Sequence, residues 1–163
     1  MGINYDYLDP AGTAVHLEAF AREQLKGRRV TVFGTSLGGY WANRFAQSID
    51  AHAAVVVNPV IEPVSWIAKY IGKTKHNPRR DVDFTASAAD QREYAALEKV
   101  PDRAIRRLVV LTRDDKRLDF RIAEEHYQGR SGAQVTIFAN GGHTLNLKKH
   151  PARDTIRRFV YER

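Results

Sequence analysis

The chain has 163 residues, 43% of them hydrophobic, which suffices for one domain with a sizeable core, over residues 1–163. It contains no cysteine, which excludes disulfide bonds, thiolate nucleophiles and Cys-based zinc sites. The formal net charge is +7, but the basic residues are scattered among Asp and Glu, so we expect no nucleic-acid partner. No apolar run approaches the roughly 20 residues of a membrane helix, and the start lacks a signal-peptide layout, so we expect a cytoplasmic protein without a membrane span.

Five short apolar runs have the composition of β-strands, and stretches with helical spacing of apolar residues lie between them. The alternation predicts an α/β fold with a mostly parallel sheet of about five strands and helices on both faces. Ligands of such sheets bind at the carboxyl ends of the strands. The five runs are INYDYL (3–8), RVTVF (29–33), AAVVV (53–57), RLVVL (107–111) and QVTIFA (134–139).

The alternation is interrupted between about residues 59 and 102. The start of this insertion has helical spacing in Val64, Ile67 and Ile71, and the following GKTKHNPRRD reads as a polar loop. We expect a small lid or cap over the strand ends. The alternative is a surface excursion with no role in binding.

The second apolar run leads into Gly34-Thr35-Ser36-Leu37-Gly38, which fits the pattern G-x-S-x-G between a strand and a helix. In this context the pattern is typical of a nucleophile elbow, where glycines allow the strand and helix to approach closely. The Leu37 N–H, at the start of the helix, would then donate to an oxyanion. The alternatives are a phosphate-binding turn and a purely structural turn.

A serine nucleophile needs a base and an orienting acid, which follow it in this chain order in such folds. RDDKRLDF follows the fourth predicted strand and NGGHTL follows the fifth, so both loops lie at carboxyl ends of strands. His143 is the candidate base, while the residues alone leave the acid open among Asp114, Asp115 and Asp119. The remaining histidines are interpreted as surface residues: His16, His52, His76, His126 and His150.

Four motifs, FGTSLGGYWA, AAVVVNPVIEP, LTRDDKRLDFRIAEEHY and NGGHTL, together resemble the small bacterial YqiA-like esterases of the α/β-hydrolase superfamily. The resemblance implies a minimal α/β-hydrolase fold with Ser36 as nucleophile and His143 as base. Setting RLDF against VLDY of the family puts Asp115 on the acid position, with Asp114 as the alternative and Asp119 as the cap of the next helix. The resemblance also implies that the pair Asn58-Pro59 shapes a turn beneath the lid.

The chain also departs from that family. The family opens with a strand and an H-G-F loop that supplies a second oxyanion donor, and no segment here resembles them. Removing one such donor costs about 2.7 to 4 kcal/mol of transition-state stabilisation. We expect a replacement from Ala11 or Gly12 in the loop LDPAGT, or from a partner chain. An uncovered sheet edge would favour a homodimer.

Together these features predict a serine hydrolase that cleaves an acyl ester or thioester with Ser36, His143 and Asp115, and with Leu37 as oxyanion donor. No metal or cofactor is required. Trp66 and Tyr70 in the lid would offer an apolar wall to an acyl chain, or would simply pack the lid onto the sheet. The alternative function is a hydrolase-like module of low or no activity that binds a small anionic or acyl ligand, or a protein partner. A third interpretation is an anionic-ligand binder that uses the basic residues of the lid.

Overall fold

The computed structural model of the chain describes residues 2–3, 5–6, 8–77 and 81–161. Within these residues a turn of π-helix, Ala21–Leu25, follows the first helix. The helices are α1 (Pro10–Phe20), α2 (Leu37–Ser48), α3 (Pro63–Ala68), α4 (Ala88–Ala96), α5 (Phe120–Tyr127) and α6 (Ala152–Tyr161). The strands are β1 (Thr31–Thr35), β2 (Ala53–Val57), β3 (Thr74–Asn77), β4 (Val82–Thr85), β5 (Arg106–Thr112) and β6 (Ala133–Phe138).

The main sheet is parallel and has the order β1-β2-β5-β6. Because its strands all run the same way, the residues that follow β1, β2, β5 and β6 meet at one edge of the sheet. The predicted α/β fold with a mostly parallel sheet is therefore confirmed. In the part of the chain that the structure describes, no helix is long and apolar enough to cross a membrane.

Helices cover both faces of the sheet, as predicted. Side chains of a strand alternate between faces, so neighbouring valines of β2 enter different clusters. Val56 packs with Ala42 of α2 and Ala123 of α5, whereas Val55 packs with Ala152 of α6. Both faces of β2 and β5 are buried, which explains why these strands are continuous apolar runs.

The sheet has four strands where the sequence predicted about five, because INYDYL is not part of it among the described residues. Its Asn4 and Tyr7 lie outside those residues. Two described backbone N–H groups of the segment bond to side chains: Asp6 N donates to Thr13 Oγ1 at 3.1 Å, and Leu8 N donates to Asp6 Oδ1 at 3.0 Å. Asp6 thus acts as a local hydrogen-bond partner.

Strand β1 lies at the edge of the sheet. Among residues 2–3, 5–6, 8–77 and 81–161, only β2 pairs with it. Phe33, in the middle of β1, is 48% exposed. A groove of about 500 Å³ runs along this edge and is lined by Ile3, Tyr5 and Trp41 among others.

The insertion after β2 folds into α3, the antiparallel hairpin β3-β4 and α4. Strand β3 occupies Thr74–Asn77 of the predicted polar loop, whose Pro78, Arg79 and Arg80 lie outside the described residues. Thr74 lies opposite Thr85, and their hydroxyls are 2.9 Å apart across the strands, which favours this register. Helix α4 begins with a capping box between Ser87 and Asp90.

Candidate active site

Ser36 lies at the turn between β1 and α2, with φ 55° and ψ −128°. Few residues other than glycine adopt a positive φ, so this backbone is strained and must be held by its surroundings. Ser36 N donates to Val57 O at 3.0 Å, and Val60 N donates to Ser36 O at 3.0 Å. The neighbouring strand β2 and its extension therefore fix the turn that presents the serine.

Glycines around Ser36 make room for different neighbours. A Cβ on Gly34 would lie 2.0 Å from Gly38 O, so this glycine permits the close approach of strand and helix. A Cβ on Gly39 would lie 2.8 Å from Pro59 Cβ, so Gly39 makes room for the segment after β2 rather than for β1. Gly38 faces the hydroxyl of Tyr5, at 3.3 Å from a Cβ placed there.

Three predicted site residues form one hydrogen-bonded chain. His143 Nε2 lies 2.9 Å from Ser36 Oγ, and His143 Nδ1 lies 2.8 Å from Asp115 Oδ2. The Asp115 side chain is 1% exposed and that of His143 is 11% exposed. Because Asp115 accepts from Nδ1, the neutral imidazole carries its proton there and offers a lone pair at Nε2 to the serine hydroxyl.

The three aspartates of the acid loop, residues 113–119, have different partners. Asp115 uses Oδ1 to accept from Arg117 N at 2.8 Å and Leu118 N at 3.1 Å. Asp119 caps α5 by accepting from Arg121 N at 3.0 Å, as the resemblance implied. Of the three, the structure places Asp115 against the imidazole.

The carboxylate of Asp114 contacts main-chain N–H groups of the histidine loop, residues 140–147. It accepts from Gly142 N at 2.8 Å and from Gly141 N at 3.2 Å. These hydrogen bonds, that of Gly142 first, lower the pKa of the Asp114 carboxyl below its ordinary value. Asp114 thus supports the loop that carries His143 rather than the ring itself.

The histidine loop has no helix or strand of its own, and it bends at two glycines with positive φ, Gly141 at 141° and Gly142 at 62°. Asn58, which is 3% exposed, donates from Nδ2 to Gly142 O at 3.0 Å and to His143 O at 3.1 Å. Thr112 Oγ1 donates to Gly142 O at 2.9 Å. His150 Nε2 lies 2.8 Å from Asn140 O.

Sequence reasoning missed these supports. The sequence predicts that Asn58 shapes a turn beneath the lid and that His150 is a surface histidine. The available signal was an asparagine directly after a buried strand, at the edge where ligands and catalytic groups of parallel sheets gather. A polar side chain at that place needs partners, and here the partner is a loop more than 80 residues further along the chain.

The Leu37 N–H is the first of α2, a position that has no acceptor within the helix itself. The segment LDPAGT, expected to be a loop, is instead the start of α1, with Asp9 as cap and Pro10 in the first turn. Gly12 N donates to Asp9 Oδ1 at 2.7 Å, so this N–H already has a partner. Gly12 is therefore a poor candidate for the second oxyanion donor. Of the two expected candidates, Ala11 remains.

Trp66 and Tyr70 lie on and just after α3 with ring centroids 4.8 Å apart. Both are half-buried and pack against the cluster that contains Ile67 and Leu37. Within the described residues, no three His, Asp or Glu side chains group as a metal ion would need. A cavity of about 450 Å³ borders the acid loop and is lined by Arg113, Asp115, Lys116, Arg117, Leu118, Asp119, Phe120 and Arg121.

Comparison with known proteins identifies the family of the chain and proteins of similar fold. The model of the uncharacterised protein family UPF0227 matches residues 8–156. Est1E from Butyrivibrio proteoclasticus superposes with a TM-score of 0.66 at 11% identity, covering 97% of this chain and 72% of that one. The esterase EaEST from Exiguobacterium antarcticum gives 0.58 at 17% identity, covering 97% and 73%.

XC6422 from Xanthomonas campestris, described as an α/β serine hydrolase without a lid, gives a TM-score of 0.57 at 13% identity. The match covers 98% of this chain but 59% of XC6422, so the chain spans only part of the length of that protein. At these identities the likeness concerns the fold, and the fold is that of the α/β hydrolases.

Proposed function

The chain belongs to the uncharacterised protein family UPF0227, the family that its YqiA-like motifs indicated, and on this premise we propose that it is a serine hydrolase cleaving a carboxylic ester or thioester. The observation that carries the proposal is the position of His143, whose ring bridges Ser36 Oγ and Asp115 Oδ2 at 2.9 and 2.8 Å. EaEST is named an esterase and XC6422 a serine hydrolase, which agrees with this reaction class.

In the proposed mechanism, Ser36 Oγ attacks the carbonyl carbon of the substrate while His143 Nε2 takes the serine proton. Asp115 stabilises the imidazolium that forms, and the Leu37 N–H donates to the oxyanion. When the tetrahedral intermediate collapses, His143 returns the proton to the leaving alkoxide or thiolate. Water then attacks the acyl-enzyme with His143 as base, and the acid and Ser36 are released.

We also propose that residues 59–102 act as a lid. Ile67 of α3 and Tyr94 of α4 share a buried cluster with Leu37, and Leu118 of the acid loop packs against that cluster. The insertion therefore borders two of the segments that form the site. In this proposal Trp66 and Tyr70 offer their half-exposed faces to the acyl group of the substrate.

A fluorophosphonate probe tests the proposal, because it labels only serines that are activated as nucleophiles. We expect labelling of Ser36, located by peptide mass spectrometry, and hydrolysis of 4-nitrophenyl acetate. Ser36→Ala should abolish both, and His143→Ala should lower kcat on the order of 10³-fold or more. Ser48→Ala is the matched control, since the Ser48 hydroxyl only donates to Phe45 O within α2.

The second candidate, a module that binds a small anionic ligand, is favoured by the cavity beside the acid loop. Its lining includes the cations Arg113, Lys116, Arg117 and Arg121, which are not in the lid, where the sequence suggested such a site. Absence of Ser36 labelling, together with saturable binding of phosphate that Arg117→Gln removes, would favour this function over the hydrolase.

A further inference from the structure

Three consecutive residues after β2 connect the two halves of the site. Val60 N donates to the carbonyl of Ser36, and Pro59 packs against Gly39 in the first turn of α2. Asn58, one residue earlier, reaches the histidine loop with its side chain. The nucleophile and the base are thus both held by one short segment, which lies between them at the carboxyl end of β2.

Both the nitrogen and the oxygen of the Asn58 carboxamide form hydrogen bonds. Its Nδ2 group contacts the carbonyl oxygens of Gly142 and His143 at 3.0 and 3.1 Å and lies 3.2 Å from Thr112 Oγ1. Its Oδ1 accepts from Thr112 N at 3.0 Å, which ties it to the end of β5. A buried amide with these partners cannot rotate without breaking several hydrogen bonds.

Asparagine suits this position for two reasons. The backbone of Asn58 has φ 40°, a left-handed conformation that asparagine, aspartate and glycine tolerate better than other residues. The two carbonyls of the histidine loop need N–H donors, and Thr112 N needs an acceptor. Of the three residues that tolerate this positive φ, only asparagine offers both an N–H donor and an oxygen acceptor.

We propose that Asn58 is a positioning residue for the reaction: its carboxamide fixes the main chain of Gly142 and His143 so that the imidazole meets Ser36 and Asp115 together. The inference rests on the proposed function. Because the histidine loop bends at two glycines, its own conformation does not fix the position of the His143 imidazole. Catalytic groups need their geometry within about 0.5 Å, which only partners outside the loop can supply here.

Asn58→Asp is the discriminating variant. It keeps the shape, the tolerance of positive φ and the acceptor for Thr112 N, but it turns an oxygen toward the two carbonyls that now receive N–H groups. We expect kcat for 4-nitrophenyl acetate to fall about 10- to 100-fold, with KM changed less than about twofold, because Asn58 is buried beneath the site. The rate of fluorophosphonate labelling should fall in parallel.

Asn43→Ala is the matched control for general loss of a buried asparagine contact. Asn43 lies in α2, and its Oδ1 accepts from the buried Arg107 Nε at 2.9 Å, a contact that does not involve the histidine loop. It should lower thermal stability yet leave kcat within about twofold of wild type. If Asn58→Asp does not fold, Asn58→Gly removes the side chain at a φ that glycine adopts freely, and the same fall in kcat is expected.

The Nδ1 proton of His143, observed by NMR, gives a readout that does not depend on turnover. In the wild type we expect a protected, downfield signal from its hydrogen bond to Asp115, and in Asn58→Asp we expect that signal to be lost or exchange-broadened. An unchanged signal with wild-type kcat would overturn the inference. A wild type that neither labels nor hydrolyses esters would overturn the proposed function alone, since the NMR comparison would still decide whether Asn58 positions the ring.

Discussion

The acid loop brings Asp115 to His143, and the histidine loop brings His143 to Ser36, but the two loops are held in different ways. The acid loop has short-range hydrogen bonds: Asp115 accepts from N–H groups two and three positions ahead of it, and Asp119 accepts from one two positions ahead, in α5. The histidine loop is held from outside, by Asn58 at separations of 84 and 85 residues and by Asp114 at 27 and 28.

The difference indicates which changes each loop tolerates. A loop closed by short-range hydrogen bonds keeps its shape when distant parts of the chain change, because its partners move with it. A loop held by long-range contacts is only as well placed as the strands that carry its partners. Damage to the acid loop should therefore come from its own residues, and damage to the histidine loop from several separate elements.

The largest expected effect is that of Asp115→Asn, which removes the group that accepts from His143 Nδ1. The wrong tautomer of the ring would then face Ser36, and kcat should fall on the order of 10³- to 10⁴-fold. Asp114→Asn and Asp119→Asn should cost about tenfold or less, because neither carboxylate meets the ring. Steady-state kinetics on one ester decides, and equal losses at all three positions would contradict the assignment of the acid.

A smaller effect is expected when either glycine of the histidine loop, Gly141 or Gly142, is replaced by alanine, and its size should differ between the two. A Cβ on Gly141 would lie 2.9 Å from Thr112 Cγ2 and 3.0 Å from His150 Nε2, whereas one on Gly142 would meet nothing within 4 Å. Gly142→Ala should cost about 1–2 kcal/mol of unfolding free energy from its positive φ alone. Gly141→Ala should cost about 1–3 kcal/mol more, because it also crowds the external supports. Urea unfolding of both variants measures the difference, and equal costs would show that the loop yields at these contacts.

The smallest effect concerns pH. The folded state holds the pKa of Asp114 below its unfolded value of about 4, so its contribution to stability is present above that value and is lost as pH falls through the folded pKa. Asp114→Asn should therefore be slightly less stable than wild type near neutral pH, and the gap should close in acid. Because Asp114 is fully exposed, the gap is small. Unfolding curves across this range test it, with Asp154→Asn on α6 as control, and a gap that widens in acid would refute the sign.

Much of this arrangement follows from local sequence. Continuous apolar runs such as AAVVV and RLVVL identify buried parallel strands without further information. The turn at Ser36 is recognisable because strand, glycines and helix lie within twenty residues. The choice of Asp115 needed the register of a family resemblance, since three aspartates in seven residues look alike until their partners are known.

Other features depended on distant partners. INYDYL has strand composition, but whether it pairs depends on what lies beside β1, and here its Asp6 bonds to Thr13 and to Leu8 N instead. The hairpin β3-β4 was missed because its residues are mostly polar and exposed, so periodicity gave little signal. The support of His143 by Asn58 joins segments too far apart for any local pattern. The homodimer and the lid stay predictions.

The left-handed backbone at Ser36 also has an evolutionary meaning. Glycine adopts a φ of 55° at no steric cost, so selection for stability alone would replace the serine. A serine persists at such a position only while its hydroxyl is under selection. Under the proposed function, lineages of this family that abandon the chemistry should therefore drift to glycine at this residue early, well before the fold changes, and the position would mark active and inactive descendants from their genes alone.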